Sequence, residues 1–169
     1  DGRSGGADFV VPAVVFNSFR QSSGYEREGV LRAVRGDTGE PIFSVTDPAL
    51  YTLPVSNIAA GDIDDDGFPE FVTGKSGSRD LICFETDGTL KWATSTDTIV
   101  TGWGGPTIAN LDGEGLPEIV GGANVIDAQG TLLWHQAGSC GDNYRSHASA
   151  PFSLPIDVDD DGKMEIVAG

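Results

Sequence analysis

The stretch Asp62-Ile63-Asp64-Asp65-Asp66-Gly67-Phe68-Pro69-Glu70 returns, with changes, as Asn110-Leu111-Asp112-Gly113-Glu114-Gly115-Leu116-Pro117-Glu118 and as Asp157-Val158-Asp159-Asp160-Asp161-Gly162-Lys163-Met164-Glu165. The three starts lie 48 and then 47 residues apart, so the chain is a repeat built around acidic loops. Alternate side chains at positions 1, 3 and 5 can converge on one point, while glycine at position 6 lets the backbone turn sharply. Like charges about 4 Å apart repel by about 4 kcal/mol at an effective dielectric of 20, so the acids call for a cation among them. Calcium suits such a set, because it accepts about six to eight oxygens in loose geometry, whereas magnesium demands a strict octahedron.

An EF-hand loop opens with the same letters, but its bidentate glutamate belongs at position 12. Position 12 here is Thr73, Gly121 or Ala168, and the closing acid falls at position 9 as Glu70, Glu118 or Glu165. Each closing acid is followed by a β-favouring pair, Phe71-Val72, Ile119-Val120 or Ile166-Val167, where an EF-hand would enter a helix. The loop therefore joins two strands. A bland alternative is a solvated, metal-free Asp-Gly turn, and three copies at one period argue against it.

The pattern resembles the FG-GAP (VCBS, integrin α-subunit-like) repeat, whose nine-residue loop binds calcium within a β-propeller blade. Carried over by position, the resemblance implies Asp62, Asp64, Asp66, the Phe68 carbonyl and Glu70 as ligands in the first loop. In the third it implies Asp157, Asp159, Asp161, the Lys163 carbonyl and Glu165. The second loop departs from the pattern with Asn110 at position 1 and the longer Glu114 at position 5, which weakens or distorts the site, and keeps Asp112, the Leu116 carbonyl and Glu118. Asp65 and Asp160, at position 4, are expected to face water.

A second element repeats between the loops. Leu31 to Phe43, Leu81 to Trp92 and Val125 to Trp134 each read as strand, glycine-containing turn, strand with an aromatic end. Together the two elements give strand A, acidic loop, strand B, strand C, tight turn, strand D, four antiparallel strands that would form one propeller blade. The expected fold is all-β, a propeller of four-stranded antiparallel blades with about three and a half blades present, read as part of a larger propeller. Residues 1–169 then form a single incomplete propeller: a partial blade at 1–45, blades at 55–93 and 105–135, and a partial blade at 150–169. Asp1 and Asp8 would be the back half of a further acidic loop, although a frayed glycine-rich terminus explains them equally.

Alternation of connections places the acidic loops and glycine turns at one end of the strands and the longer B–C and D–A segments at the other. Variable loops on a rigid scaffold are where binding usually occurs. Lys75, Arg79, Trp103, Arg145 and His147 fall on those segments and form the candidate ligand face. Trp92 and Trp134 occupy equivalent strand ends and are expected to pack between blades. Cys83, within a strand, and Cys140, in a glycine-rich insertion, could pair or stay apart. Arg35-Gly36-Asp37 spells an integrin-recognition tripeptide at a hairpin tip, but its glycine and aspartate are also what a turn requires.

The 169 residues carry a formal charge of −16 with only ten Lys and Arg, which argues against nucleic acid as a partner. No apolar run approaches the ~20 residues of a membrane helix. Open calcium loops of extracellular modules bind at about 10⁻⁴ to 10⁻³ M, so they fill where calcium is millimolar. This points to the extracellular space or cell surface. The expected function is a calcium-binding module for adhesion, recognition or assembly, without catalysis, its partners being further blades, a neighbouring copy of the chain, or a protein or glycan ligand. Two rivals are the propeller of a rhamnogalacturonan-type polysaccharide lyase, which such calcium-rich propellers resemble, and a subunit of an extracellular filament.

Overall fold

The computed structural model describes residues 11–19, 27–96, 104–122, 124–135 and 152–168. Asp1, Asp8, Trp103, Cys140, Arg145 and His147 lie outside them. Short apolar segments rich in Val, Ile and Phe, punctuated by Gly and Asp turns, form thirteen strands among the described residues. Strands β1 (Ala13–Ser18), β2 (Val30–Arg35) and β3 (Pro41–Ser44) make a first, three-stranded antiparallel sheet. Strands β4 (Ala59–Gly61), β5 (Glu70–Gly74), β6 (Leu81–Phe84) and β7 (Leu90–Ala93) form a four-stranded meander in chain order. Strands β8 (Thr107–Ala109), β9 (Glu118–Gly121), β10 (Asn124–Ile126) and β11 (Leu132–His135) form another, and β12 (Ser153–Ile156) pairs with β13 (Glu165–Ala168). Each acidic loop thus joins two neighbouring strands of one sheet, and each closing glutamate is the first residue of the second strand.

Register decides how the sheets stack. Phe71 pairs with Phe84 and Thr73 with Ile82, while Val72 pairs with Cys83 and Gly74 with Leu81. Successive side chains point to opposite faces, so these pairs alternate between the two sides of the second sheet. On one side Phe71, Ile82 and Phe84 pack with Leu31 and Val45, flanked by Val15 and Phe43 of the first sheet. On the other, Val72, Leu81, Cys83 and Ile63 pack with Ile119, Ile126 and Ala128 of the third. Residues of β5 and β6 are consequently all buried. Each fully buried Phe, Leu, Ile or Val there contributes about 1.5–3 kcal/mol relative to exposure.

Strand β8 contacts both β4 and β12, so the first strands of successive sheets adjoin one another. The Ile108 side chain sits against Gly61, and Thr107 Oγ1 donates to the Ser153 carbonyl at 3.0 Å. Sheets also touch through their last strands. A Cβ on Gly88 would lie 2.6 Å from the Phe43 ring, and one on Gly130 would lie 2.8 Å from that of Trp92, whose Nε1 donates to the Ala128 carbonyl at 2.9 Å. An aromatic at the end of one sheet's last strand therefore covers the turn glycine of the next, and both glycines have positive φ.

Trp92 thus packs between sheets as its position predicted. Trp134 is 47% exposed, and among the described residues no turn glycine lies over it. Cys83 is a buried free thiol. At the first hairpin tip, Arg35 grips Asp37 within its own tripeptide, Nε to Oδ1 at 3.1 Å and Nη2 to Oδ2 at 2.9 Å.

Candidate metal centre

Glycine or aspartate in the left-handed region shapes every acidic loop. Positions 4 and 6 both have positive φ: 62° and 87° at Asp65 and Gly67, 77° and 63° at Gly113 and Gly115, 63° and 87° at Asp160 and Gly162. Aspartate tolerates that region better than most side chains, and glycine enters it without strain. Two such residues two positions apart fold the loop back on itself, and Asp65 and Asp160 are left exposed, as position 4 predicted.

The first and third loops share four hydrogen bonds. In the first, Asp62 accepts from the Asp66 and Gly67 amides at 3.1 and 2.8 Å, Asp66 from the Phe68 amide at 2.8 Å, and Glu70 Oε2 from the Ile63 amide at 2.9 Å. In the third, Asp157 accepts from the Asp161 and Gly162 amides at 3.1 and 2.9 Å, Asp161 from the Lys163 amide at 2.8 Å, and Glu165 from the Val158 amide at 2.8 Å. The closing glutamate, held by the amide of position 2, returns its second oxygen toward the loop.

Oxygens of Asp62, Asp64 and Asp66 all lie within 4.8 Å of one another, as do those of Asp157, Asp159 and Glu165. No comparable group of three acids forms at the second loop among the described residues. There Asn110 Oδ1 accepts from the Gly113 amide at 2.6 Å and Asp112 from the Glu114 amide at 2.9 Å, while Glu118 keeps its bond from the Leu111 amide at 2.9 Å. The frame survives, and the convergence of charge does not. Phe68, Leu116 and Lys163 stand at position 7 of their loops, where the chain turns toward the closing glutamate.

The first loop contains two groups that its spacing does not reveal. Glu85, just beyond β6, brings an oxygen within 4.8 Å of oxygens from Asp66 and Glu70. Lys91, on β7, places Nζ 2.7 Å from Asp64 Oδ2, 2.9 Å from Glu85 Oε1 and 3.8 Å from Glu70 Oε1. Burial pulls the Lys91 ammonium down, but its hydrogen bonds to Asp64 and Glu85 and the charge of Glu70 outweigh this and hold it above the ordinary lysine range. The Lys91 hydrogen bond keeps the Asp64 carboxyl below its usual value. Burial pushes Glu70 up, against the pull of the Ile63 amide and of Lys91.

Glu70 is wholly buried, and its Oε1 lacks a hydrogen-bond donor, as does the buried Asp64 Oδ1. A buried carboxylate oxygen left without a donor costs about 1–3 kcal/mol or more. Both lie among hard oxygen donors, the donor type that calcium takes. The residues present therefore fit a hard divalent cation at the first loop; the third repeats the hydrogen-bond frame in a more exposed setting and gathers Asp157, Asp159 and Glu165, without Asp161 in the group.

Of the candidate ligand face, Lys75 and Arg79 flank the β5–β6 turn, at the end of the second sheet opposite its acidic loop. The structure does not draw them together with the acids.

A scan against protein-family models finds no match, and a search of curated proteins finds none. Among solved structures, the chain is similar to the V. cholerae biofilm matrix protein Bap1, with a TM-score of 0.74 and 22% identity over 94% of this chain. The match spans 24% of that protein's chain. Together with the strand pairing, this establishes an all-β fold of antiparallel sheets shared with a segment of a biofilm matrix protein.

Proposed function

We propose that the chain is a stretch of an extracellular β-propeller of the FG-GAP/VCBS kind, its blades tied by calcium, serving adhesion, recognition or assembly rather than catalysis. Buried Glu70 carries the reading: one oxygen holds the Ile63 amide and the other meets the loop without a donor, an arrangement a cation completes. The first and third loops are the calcium sites, and the second, with Asn110 and Glu114 substituted, is the weak one. Successive contact of β4, β8 and β12 supports the propeller arrangement, with those strands toward the axis. In this reading the chain holds three strands of one blade, two whole blades and two strands of a fourth. Likeness to part of a matrix protein favours a role outside the cell.

Calcium titration of the chelated chain by calorimetry tests the metal, and retention on immobilised extracellular polysaccharide with and without calcium tests the role. Binding lost on Asp62→Asn and Asp157→Asn supports the proposal. Heat and melting temperature unaffected by millimolar calcium would overturn it.

A further inference from the structure

Two groups of acids meet at the first loop and share Asp66. One is Asp62, Asp64 and Asp66, the alternating set of the loop itself; the other is Asp66, Glu70 and Glu85, which includes a residue from outside the loop. Their oxygens differ in what already binds them. Asp62 uses both of its oxygens on backbone amides, those of Asp66 and Gly67. Glu70, wholly buried, keeps Oε1 without a donor, and it belongs to the group that contains Glu85.

The turn that carries Glu85 does not use its carboxylate. In the β6–β7 hairpin the Glu85 amide donates to the Thr89 carbonyl at 2.8 Å, and Asp87 is the acid that braces the turn, accepting from the Thr89 amide and hydroxyl at 2.9 and 2.7 Å. In the β10–β11 hairpin Asp127 takes the place of Glu85, its amide donating to the Thr131 carbonyl at 2.9 Å. There the side chain folds back on its own turn and accepts from the Gln129 and Thr131 amides. Glu85 instead reaches the acidic loop, where Lys91 on the next strand holds its Oε1 at 2.9 Å.

We propose that Glu85 is a metal ligand supplied by the hairpin, so that the cation of the second sheet is held by Asp66, Glu70 and Glu85 and ties the β4–β5 loop to the β6–β7 turn. This rests on the calcium reading above and adds to it a ligand outside the nine-residue loop. Asp62, Asp64, Asp66, Glu70 and Glu85 bring five carboxylates to this end of the sheet, and Lys91 is the cation paired with them among the described residues. Its ammonium binds Asp64 and Glu85 and stays 3.8 Å from Glu70 Oε1, beyond hydrogen-bond reach. The buried oxygen thus lacks a partner even with Lys91 in place. A hard divalent ion, which gathers about six to eight oxygens, would supply one.

The test is hydrogen–deuterium exchange of the whole chain, read at residues 62–70 and 85–90 across a calcium titration from chelator, with Glu85→Gln and Asp65→Asn as variants. Asp65 is an exposed acid of the same loop that lies outside both groups, so Asp65→Asn gives the effect of losing charge alone. In the unchanged chain, calcium should slow exchange in both segments with a common midpoint. Even an outer-shell partner of a metal is worth about tenfold in affinity, so Glu85→Gln should raise the midpoint in the loop by about tenfold or more and abolish the slowing at the turn. Asp65→Asn should keep the slowing in both segments. A midpoint for Glu85→Gln no higher than for Asp65→Asn, or slowing confined to the loop in the unchanged chain, overturns this inference and leaves the calcium reading intact. Exchange indifferent to calcium in both segments overturns the two together. Should Glu85→Gln fail to fold in chelator, Glu85→Asp, which keeps the charge and shortens the reach, should raise the midpoint above that of Asp65→Asn, and a midpoint no higher overturns the inference.

Discussion

Glu70 shows how one carboxylate joins the fold to the loop. It stands at the first position of a strand buried on both sides and reaches back to the Ile63 amide seven residues earlier. Glu70→Ala leaves that amide unpaired and opens a hole, so urea denaturation in chelator should show a loss of about 2–4 kcal/mol. Glu70→Gln keeps an oxygen for the amide and removes the charge that burial disfavours. It should melt no lower than the unchanged chain in chelator, but gain less from calcium. Cys83 gives a second measurement: burial raises its thiol well above the ordinary range, so the reactive thiolate is suppressed throughout neutral pH. A thiol reagent at pH 8 should label Cys83 only after denaturant is added. At this scale the sequence exposed the alternating acids, since a ligand loop is a local pattern. Lys91 and Glu85 escaped it because strand pairing, not spacing, brings Lys91 to an aspartate 27 residues away.

Hairpins are the element that the sequence described best and explained least. Their strands and glycine turns were legible from aromatic ends and Asp-Gly pairs. The irregularity just before each turn was not: pairing slips between Ala33 and Val34, Cys83 and Phe84, and Val125 and Ile126. Such bulges sharpen the local twist. The consequence of the turn glycines also needed the structure, since the ring over each belongs to another sheet. Ala substitution at any of them costs about 1–2 kcal/mol for the left-handed backbone. At Gly88 and Gly130 the new methyl also strikes Phe43 or Trp92, whereas at Gly39 nothing lies within 4 Å among the described residues. Gly130→Ala should therefore lower the melting temperature clearly more than Gly39→Ala. Equal losses would show that the ring contact carries no stability.

Across the molecule, a formal charge of −16 opposes compaction, and in the proposed reading metal binding relieves it where the acids converge. In the proposed reading, free calcium at 100 times its dissociation constant adds about 2.7 kcal/mol per filled site. For a chain of this length each kcal/mol moves the melting temperature by about 2–4 °C. Two sites should therefore raise it by roughly 10 °C or more between chelator and saturating calcium, with magnesium giving much less. Differential scanning calorimetry reads this directly.

The second sheet, enclosed by an apolar layer on each side, has a kinetic consequence. Amide protons in β5 and β6 have no route to solvent short of parting both layers, whereas the outer sheets present apolar side chains such as Val14 and Leu154 to water. Deuterium uptake should begin at the two flanks and advance toward the middle, with Val72 and Cys83 among the last amides to exchange. The chain would then come apart by peeling rather than by opening at its centre.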